Sequence, residues 1–315
     1  MNTTTSIEVR QAGLDDSGAI SALFCAQIPI WQRMNARGQV EDVPYEELTI
    51  YERWLHGGPW MSIETGAIHL HHLLLGAGLP LVAEVSGVIF GYAEAYLSSE
   101  PEPFGRVLHV AHLQTGDLDA ERALLDALIA RLKALKCQQV TISRVGGSSI
   151  YDDRYELTPI STLRRFNLPA RQGQIFYRAV EHLDADASQI GGWAMPVGRF
   201  SCARQEWETL WHEQWQALPE MNRRKTARRH ISAAGQDALL LCREHLYDPR
   251  RADVAVWTPK PLTVQVVSAV RDWAHREGYR TLVMAVDESA RSVLGTEAED
   301  DGYMQETCAV TLPPL

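Results

Sequence analysis

The stretch that decides the fold reads Leu81-Val82-Ala83-Glu84-Val85-Ser86-Gly87-Val88-Ile89-Phe90-Gly91-Tyr92-Ala93-Glu94. Two apolar runs flank Ser86-Gly87, a two-residue hairpin signal, so the pattern predicts a pair of antiparallel strands. A third strand follows over Val107 to Gln114. Apolar residues spaced three and four apart from Ala120 to Leu135 then predict an amphipathic helix, and Gln139-Val140-Thr141-Ile142 predicts the strand that leaves it. Strand, helix and strand at this spacing indicate a βαβ crossover.

The segments before the hairpin complete an α/β pattern. Ser6-Ile7-Glu8-Val9-Arg10 alternates like an edge strand, and Asp15-Asp16 caps an apolar-periodic helix. Further helical regions are predicted over Tyr45 to Leu55 and His69 to Leu75. The chain therefore opens with a strand and helices that can cover the later sheet.

The second half repeats this order in a weaker form. Met195-Pro196-Val197 leads into a helix predicted over Arg204 to Trp215. The crossover recurs as a strand from Ala252, a helix from Leu262 to Glu277 and a strand from Thr281. The sequence predicts two divergent copies: domain 1 over residues 1–184, a linker over 185–194, and a shorter domain 2 over 195–315.

Composition and charge narrow the class of protein. Hydrophobic residues make up 45% and charged residues 22% of the 315 residues, the balance of a globular protein. We expect a cytoplasmic protein with no membrane partner, because no signal peptide and no stretch of roughly 18 apolar residues is found. The five cysteines are widely spaced, so they are interpreted as reduced core thiols. A net charge of -10 argues against nucleic acid as a general partner.

One stretch is basic although the protein as a whole is negatively charged. Residues 222–230 read Asn-Arg-Arg-Lys-Thr-Ala-Arg-Arg-His and could meet nucleic acid, an acidic partner or the phosphates of a cofactor. The simpler interpretation is a solvated helix face, because runs of like charge usually face water. We expect this stretch on an exposed helix or loop, where reversing Arg223, Arg224 and Arg228 to Glu leaves stability nearly unchanged.

The opening strand and helix, the hairpin, and a strand followed by the helix that contains Arg122-Ala123-Leu124-Leu125 together resemble the GNAT superfamily of N-acetyltransferases. The likeness spans residues 6–180. It implies an α/β (α+β) fold of two GNAT-like domains, each a mixed, mostly antiparallel sheet flanked by helices. It also implies acyl transfer from acetyl-CoA to an amine of a small molecule or peptide. The acceptor and the oligomeric state are left open.

The resemblance assigns the cofactor to the strand before the fourth helix. The backbone of Leu113, Gln114 and Thr115 would pair with pantetheine, and Gly116 would begin the pyrophosphate loop. The family's loop has the pattern Gln/Arg-x-x-Gly-x-Gly/Ala, whereas residues 116–121 read Gly-Asp-Leu-Asp-Ala-Glu. Three carboxylates there would cap the helix and repel a diphosphate. In the second half, two prolines in residues 257–263 remove amide donors.

The catalytic groups implied by the family are replaced in this chain. In the family, the tyrosine acid lies on the last helix just before a Gly-Phe pair, which Gly302-Tyr303 resembles. Leu163 and Ala298 occupy the places of this tyrosine in the two halves, so Tyr151 or Tyr155 is the substitute that the sequence offers. Glu94 shares a strand face with Tyr92 and could take the amine proton, since burial raises a carboxyl pKa toward neutrality. The alternative is a glutamate that faces solvent.

The remaining polar and aromatic motifs favour structural interpretations. His69 and His72 share a helix face but lack a third ligand, so no metal is expected. His109 and His112 point to opposite faces of one strand, so at most one reaches a shared cleft. Core packing is expected for three tryptophans spaced four apart (Trp207, Trp211, Trp215), and a turn rather than an anion nest for residues 146–149. A catalytically silent GNAT-like fold that binds a ligand or partner is the alternative function.

The sequence predicts that acetyl-CoA binds weakly or not at all. Two like charges about 4 Å apart cost on the order of 4 kcal/mol near a protein surface, and micromolar binding supplies only about 8 kcal/mol. Calorimetric titration measures this directly, and a dissociation constant below about 10 μM would refute the argument. The double variant Asp119→Gly with Glu121→Gly is expected to strengthen binding.

Overall fold

The computed structural model describes residues 7–145, 156–211, 214–215, 218–221 and 224–310. The strands are β1 (Glu8–Gln11), β2 (Gln32–Met34), β3 (Val40–Asp42), β4 (Gly78–Val85), β5 (Val88–Ser99), β6 (Arg106–Thr115), β7 (Gln139–Val145), β8 (Leu157–Pro169), β9 (Tyr177–Glu181), β10 (Ala194–Val197), β11 (Thr226–Ala233), β12 (Gln236–His245), β13 (Asp248–Thr258), β14 (Thr281–Asp287) and β15 (Glu299–Val310). The α-helices are α1 (Ser17–Cys25), α2 (Ile50–Trp54), α3 (Ile63–Leu75), α4 (Leu118–Leu135), α5 (Ala203–Glu206) and α6 (Val264–Arg276). The expected mixed α/β class is confirmed, with strands predominating. None of the described helices has the length and apolar character needed to cross a membrane.

The chain divides into two compact units, each built from separate segments. The first unit comprises Met1–Ala95, Val110–Leu135 and Gln214–Arg223. The second comprises Tyr96–His109, Lys136–Glu213 and Arg224–Leu315. In the second unit, β15 pairs antiparallel with both β7 and β8. Strands from both sides of the predicted linker therefore pair in one sheet, and the linear division into 1–184 and 195–315 stays a prediction.

The first unit has helices on both faces of its sheet, in which the strand order is β1, β4, β5 and β6. The hairpin is confirmed: Ser86 and Gly87 adopt positive φ angles of 53° and 79° between β4 and β5, as a two-residue turn requires. A Cβ atom placed on Gly91 of β5 would lie 3.0 Å from the side chain of Leu124, so α4 covers that face of the sheet. The next residue, Tyr92, contacts Phe24 of α1, which places α1 on the other face.

The second unit contains the predicted crossover. Strands β13 and β14 pair in parallel from Arg251 opposite Thr281 to Val254 opposite Met284, and α6 connects them. The strand order is β7, β15, β8, β14, β10, β13, β12, β11 and β9. Apart from β13 with β14, the pairs with resolved register in this unit are antiparallel. The sheet is therefore mixed and mostly antiparallel, as expected.

Alternate side chains of these strands form two cores. Leu240 and Val256 pack with α6 on one face. On the opposite face, Trp257 contacts the rings of Trp207 and Trp211, which stack with centroids 4.4 Å apart. All three indole N–H groups donate to backbone carbonyls. The predicted core role is confirmed for Trp207 and Trp211, although the predicted long helix is only α5 followed by one wide π-helical turn.

Two segments matched to the family's last helix are strands instead. Leu163 lies within β8, and the Gly302-Tyr303 pair lies within β15. Gly302 has φ of 86° at a register shift, so this glycine marks a bulge in the strand rather than the end of a helix. The sequence comparison was wrong here because a glycine followed by an aromatic residue also suits a bulged strand.

The basic stretch is also a correction, because most of its described residues lie in a strand. Thr226–Ala233 is β11, which pairs with β12 and β9. Residues 222 and 223 lie outside the described residues. Carboxylates from other segments pair with its cations: Asp253 with Arg224, Glu277 with Lys225, and Glu181 with Arg229. The stretch was misread because pairing with distant carboxylates leaves no signal in a local run of charge.

Reversing Arg224 to Glu is now expected to destabilise the protein by about 1 to 2 kcal/mol. The side chain is 17% exposed, donates to the Glu244 carbonyl at 2.5 Å and pairs with Asp253, so the reversal sets carboxylate against carboxylate. Urea denaturation followed by circular dichroism measures the change. Arg250→Glu is the control. This exposed residue lies in β13, the strand that also carries Asp253, and its reversal should cost less than about 0.5 kcal/mol. Equal effects of the two reversals would contradict the expectation.

Candidate functional site

A buried carboxylate organises the inner face of the first unit. Glu94 of β5 is fully buried, and its oxygens accept three kinds of side-chain donor. Trp60 Nε1 lies 3.1 Å from Oε2, and the Tyr92 hydroxyl lies 3.0 Å from the same oxygen. His69 Nε2 of α3 lies 3.1 Å from Oε1 and 3.2 Å from Oε2. The strand pattern correctly put Tyr92 and Glu94 on one face, but this face is buried and not solvent-exposed.

The environment of Glu94 keeps the group ionised. Burial alone would raise the pKa of Glu94, but the charge and hydrogen bond of His69, the charge of His112 and the Trp60 hydrogen bond lower it to about 2. The expectation that burial brings this pKa toward neutrality is therefore wrong, because it omitted the donors that burial brings with it. A carboxylate with so low a pKa is a weak proton acceptor at neutral pH.

His112 of β6 is a titratable group whose charge acts on Glu94. Its ring meets the edge of Phe24 at a centroid distance of 5.5 Å, and the side chain is partly exposed. Burial lowers the pKa of His112, the Glu94 carboxylate opposes that shift, and the charge of His69 adds to it. The net pKa lies below the ordinary value of 6.5, so the neutral imidazole prevails at neutral pH.

The predicted cofactor strand ends beside α4. Leu113, Gln114 and Thr115 are the last residues of β6 and are partly exposed. Gly116 is exposed and has open space around it. The Thr115 hydroxyl donates to the Phe90 carbonyl at 2.8 Å, which fixes the end of β6 against β5.

The start of α4 is capped by the chain itself. Asp117 Oδ1 accepts from the backbone N–H groups of Asp119 at 2.8 Å and Ala120 at 2.9 Å. These belong to the amides that a helix start can offer to an anion. Glu121 is buried, so replacing it would disturb packing as well as charge. Asp117 is therefore the carboxylate that occupies these amides.

Of the other residues singled out from the sequence, only some lie in the described part of the chain. Tyr151, Tyr155 and residues 146–149 lie outside the described residues. His109 of β6 belongs to the second unit, where its Nδ1 lies 3.0 Å from Thr141 Oγ1. Within the described ranges, no group of three or more His, Cys, Asp or Glu side chains could hold a metal ion.

Sequence reasoning missed the partners of Glu94. His69 was considered only together with His72 as a metal pair, and Trp60 was not considered. Trp60 lies in the short 3-10 turn Pro59–Met61 and is fully buried. The available signal was weak: an acidic residue amid an apolar strand needs buried donors, but spacing does not say which donors.

Comparison with known proteins supports the fold. No protein-family model and no curated protein matches the chain. Solved structures do match. A GCN5-related N-acetyltransferase from Anabaena variabilis has a TM-score of 0.58 and 10% identity, covering 96% of this chain and 72% of its own. A GCN5-related N-acetyltransferase from Kribbella flavida has a TM-score of 0.55 and 9% identity, covering 96% of this chain and 71% of its own. The expected GNAT fold is confirmed.

Glu94→Gln should destabilise the protein at pH 7 by about 3 kcal/mol, because the amide cannot replace a buried carboxylate that accepts from Trp60, His69 and Tyr92. The difference should depend on pH. A folded pKa of about 2, below the ordinary 4.5, gives stability that is complete above pH 4.5 and is lost as pH falls toward 2. Urea unfolding of both proteins between pH 7 and pH 3 should therefore show the difference shrinking below pH 4.5.

The control for this measurement is Glu64→Gln, which makes the same change at an exposed position at the start of α3. It should change stability by less than about 0.5 kcal/mol at every pH. A Glu94→Gln difference that stays constant from pH 7 to pH 3 would mean that folding does not lower the pKa of Glu94.

Proposed function

We propose that the first unit transfers an acyl group from an acyl-CoA to the amine of a small molecule or peptide, with His112 as the proton acceptor. The observation that carries the proposal is a partly exposed imidazole beside a buried carboxylate, one residue before the predicted pantetheine-pairing segment Leu113–Thr115. The GNAT fold supports the class of reaction. At this level of identity it does not identify the acceptor.

The division of roles follows from exposure and pKa. Glu94 cannot touch a substrate while it is fully buried, so we assign it a positioning role in which its charge acts on His112 through space. His112 is neutral near pH 7 and can accept a proton from the attacking nitrogen. The neutral amine attacks the thioester carbonyl and forms the carbon–nitrogen bond, His112 takes one proton from this nitrogen, and the carbon–sulfur bond breaks as the thiolate leaves.

Protonation of the leaving thiolate requires an acid. Tyr151 is the candidate that the sequence supplies, and this role stays a prediction because the residue lies outside the described part of the chain. One proton passes from the nitrogen to His112 and one reaches the sulfur, and return of the His112 proton to the acid or to the thiolate restores both groups. The products are an amide and free CoA.

The capped start of α4 sets how tightly the acyl-CoA binds. Asp117 occupies two amides and places a negative charge where the family resemblance puts the pyrophosphate. We therefore expect weak binding, with the backbone of Leu113–Thr115 as the main anchor. The same observation favours the second candidate function, a catalytically silent GNAT-like fold that binds a ligand or partner. Turnover of acetyl-CoA with any amine distinguishes the two.

His112→Gln should lower kcat/KM for acyl transfer by about 100-fold or more, because general-base catalysis contributes at least that much. In the wild-type protein, kcat/KM should rise with pH through a pKa below 6.5, and the variant should lack this limb. Thiol release from acetyl-CoA is measured against a panel of primary amines. The control is His109→Gln on the same strand, which should keep the wild-type rate and pH profile after correction for the folded fraction.

Asp117→Asn should strengthen acetyl-CoA binding by about tenfold, because the amide oxygen preserves the cap while the charge is removed. Calorimetric titration of both proteins at low and moderate salt measures the change, which should shrink as salt screens the charge. Asp126→Asn, on the same helix but away from its start, is the matched control. Equal affinities of wild-type and Asp117→Asn proteins would show that repulsion by Asp117 is not what weakens binding.

A further inference from the structure

The second unit contains a cavity of about 560 Å³ at the carboxyl ends of β13 and β14. Its lining includes the loop that follows β13 at Pro259 and the 3-10 segment Glu288–Leu294 that follows β14. The carboxyl ends of neighbouring parallel strands are where open α/β sheets commonly place ligands, because the connections diverge there. The volume suits a small organic molecule.

Strand β10 shapes this cavity by filling the gap between the two parallel strands. Val197 pairs with Val256 of β13 and also with Val286 of β14, while Ala194 pairs with Thr258. The backbone groups exposed by the separation of β13 and β14 are thus paired within the chain. A ligand can therefore occupy only the space beyond β10, where side chains rather than backbone groups provide the contacts.

The walls of the cavity are mainly apolar. They are formed by side chains from five segments of the second unit: Phe104, Leu163, Met195, Pro196, Leu262 and Val293. Burying a flat or branched hydrocarbon against such walls is favourable by about 25 cal/mol per Å² of apolar surface removed from water. The ligand therefore needs an apolar body, and its polar group must match the charges of the lining.

The lining contains one buried ion pair, in which Arg199 and Glu100 neutralise each other. Arg199 Nε donates to Glu100 Oε2 at 2.8 Å, and its second nitrogen donates to Oε1 at 3.2 Å. Glu100 also accepts from Ser98 Oγ and from the Ala203 N–H. The guanidinium lies over the Phe104 ring at 3.5 Å. These two charges cancel, so they do not select the charge of a ligand.

The Asp287 carboxylate is different because only neutral groups are seen to donate to it. Ser161 Oγ donates to Oδ2, while the Ser289 N–H and hydroxyl donate to Oδ1 at 2.9 and 2.5 Å. Among the described residues, no Lys, Arg or His forms an ion pair with Asp287. A carboxylate offers about four acceptor positions, so one stays open for a ligand donor.

We propose that this cavity binds a small organic monocation, a primary ammonium on an apolar body, with the ammonium on Asp287. Low-dielectric walls concentrate the field of the carboxylate and so favour a cation over its neutral or anionic analogue. The exposed Glu102 in the lining also attracts the ammonium group of the ligand. The exposed Lys260 repels a second positive charge on the same ligand. The cavity therefore selects monoamines over polyamines.

Calorimetric titration with 2-phenylethylamine tests the charge preference, with 3-phenylpropionate and spermidine as comparison ligands. The monoamine should bind at least about tenfold more tightly than either of them, as a charge-assisted hydrogen bond in an apolar site implies. Equal or tighter binding of the carboxylate would overturn the proposal, and so would tighter binding of spermidine.

Substitutions locate the site. Asp287→Asn keeps the oxygen that accepts from Ser289 but removes the charge, and should weaken 2-phenylethylamine binding by about tenfold or more. Asp248→Asn is the matched control, because Asp248 accepts from the N–H two residues later in the same way and does not line the cavity. Ala290→Leu should reduce binding by filling the cavity. His112→Gln should leave it unchanged, which separates this site from the acyl-transfer site. Undiminished binding to Asp287→Asn would refute the assignment.

Discussion

The buried charge of Glu94 is the constraint on which the arrangement of the first unit depends. Removing a carboxylate from water costs several kcal/mol, so it persists only where donors surround it. The donors come from three places in the chain: the turn at Trp60, His69 on α3, and Tyr92 on β5. The turn, helix and strand are thereby held in one geometry, because moving any of them leaves a buried charge or donor unsatisfied.

This geometry also bears on the proposed division of roles between Glu94 and His112. The donors that make burial of Glu94 tolerable also lower its pKa to about 2 and make it a weak base. His112 is less enclosed by hydrogen bonds, and burial moves its pKa in the direction that keeps the imidazole neutral. In the proposed mechanism the environment therefore assigns the roles: Glu94, which accepts from several donors, stays charged, and His112 exchanges a proton.

Features that a GNAT-like fold can offer to a cofactor are occupied by the chain itself in both units. In the first, the Asp117 carboxylate takes two amides at the start of α4. In the second, β10 takes the backbone groups between β13 and β14. Each of these internal contacts satisfies polar groups that would otherwise need water or a ligand. The fold is thus preserved while these polar groups are satisfied within the chain.

The sequence alone determined the elements whose signals are local. The Ser86-Gly87 hairpin, the amphipathic helix α4 and both strand–helix–strand patterns follow from residues a few positions apart, because turn geometry and burial periodicity act over that range. The tertiary structure decided what depends on residues far apart in the chain: the ionisation of Glu94 beside Trp60 and His69, the pairing of Arg224 with Asp253, and the place of β15 between β7 and β8. Burial and charge pairing are properties of contacts, and a one-dimensional pattern does not specify which contacts form.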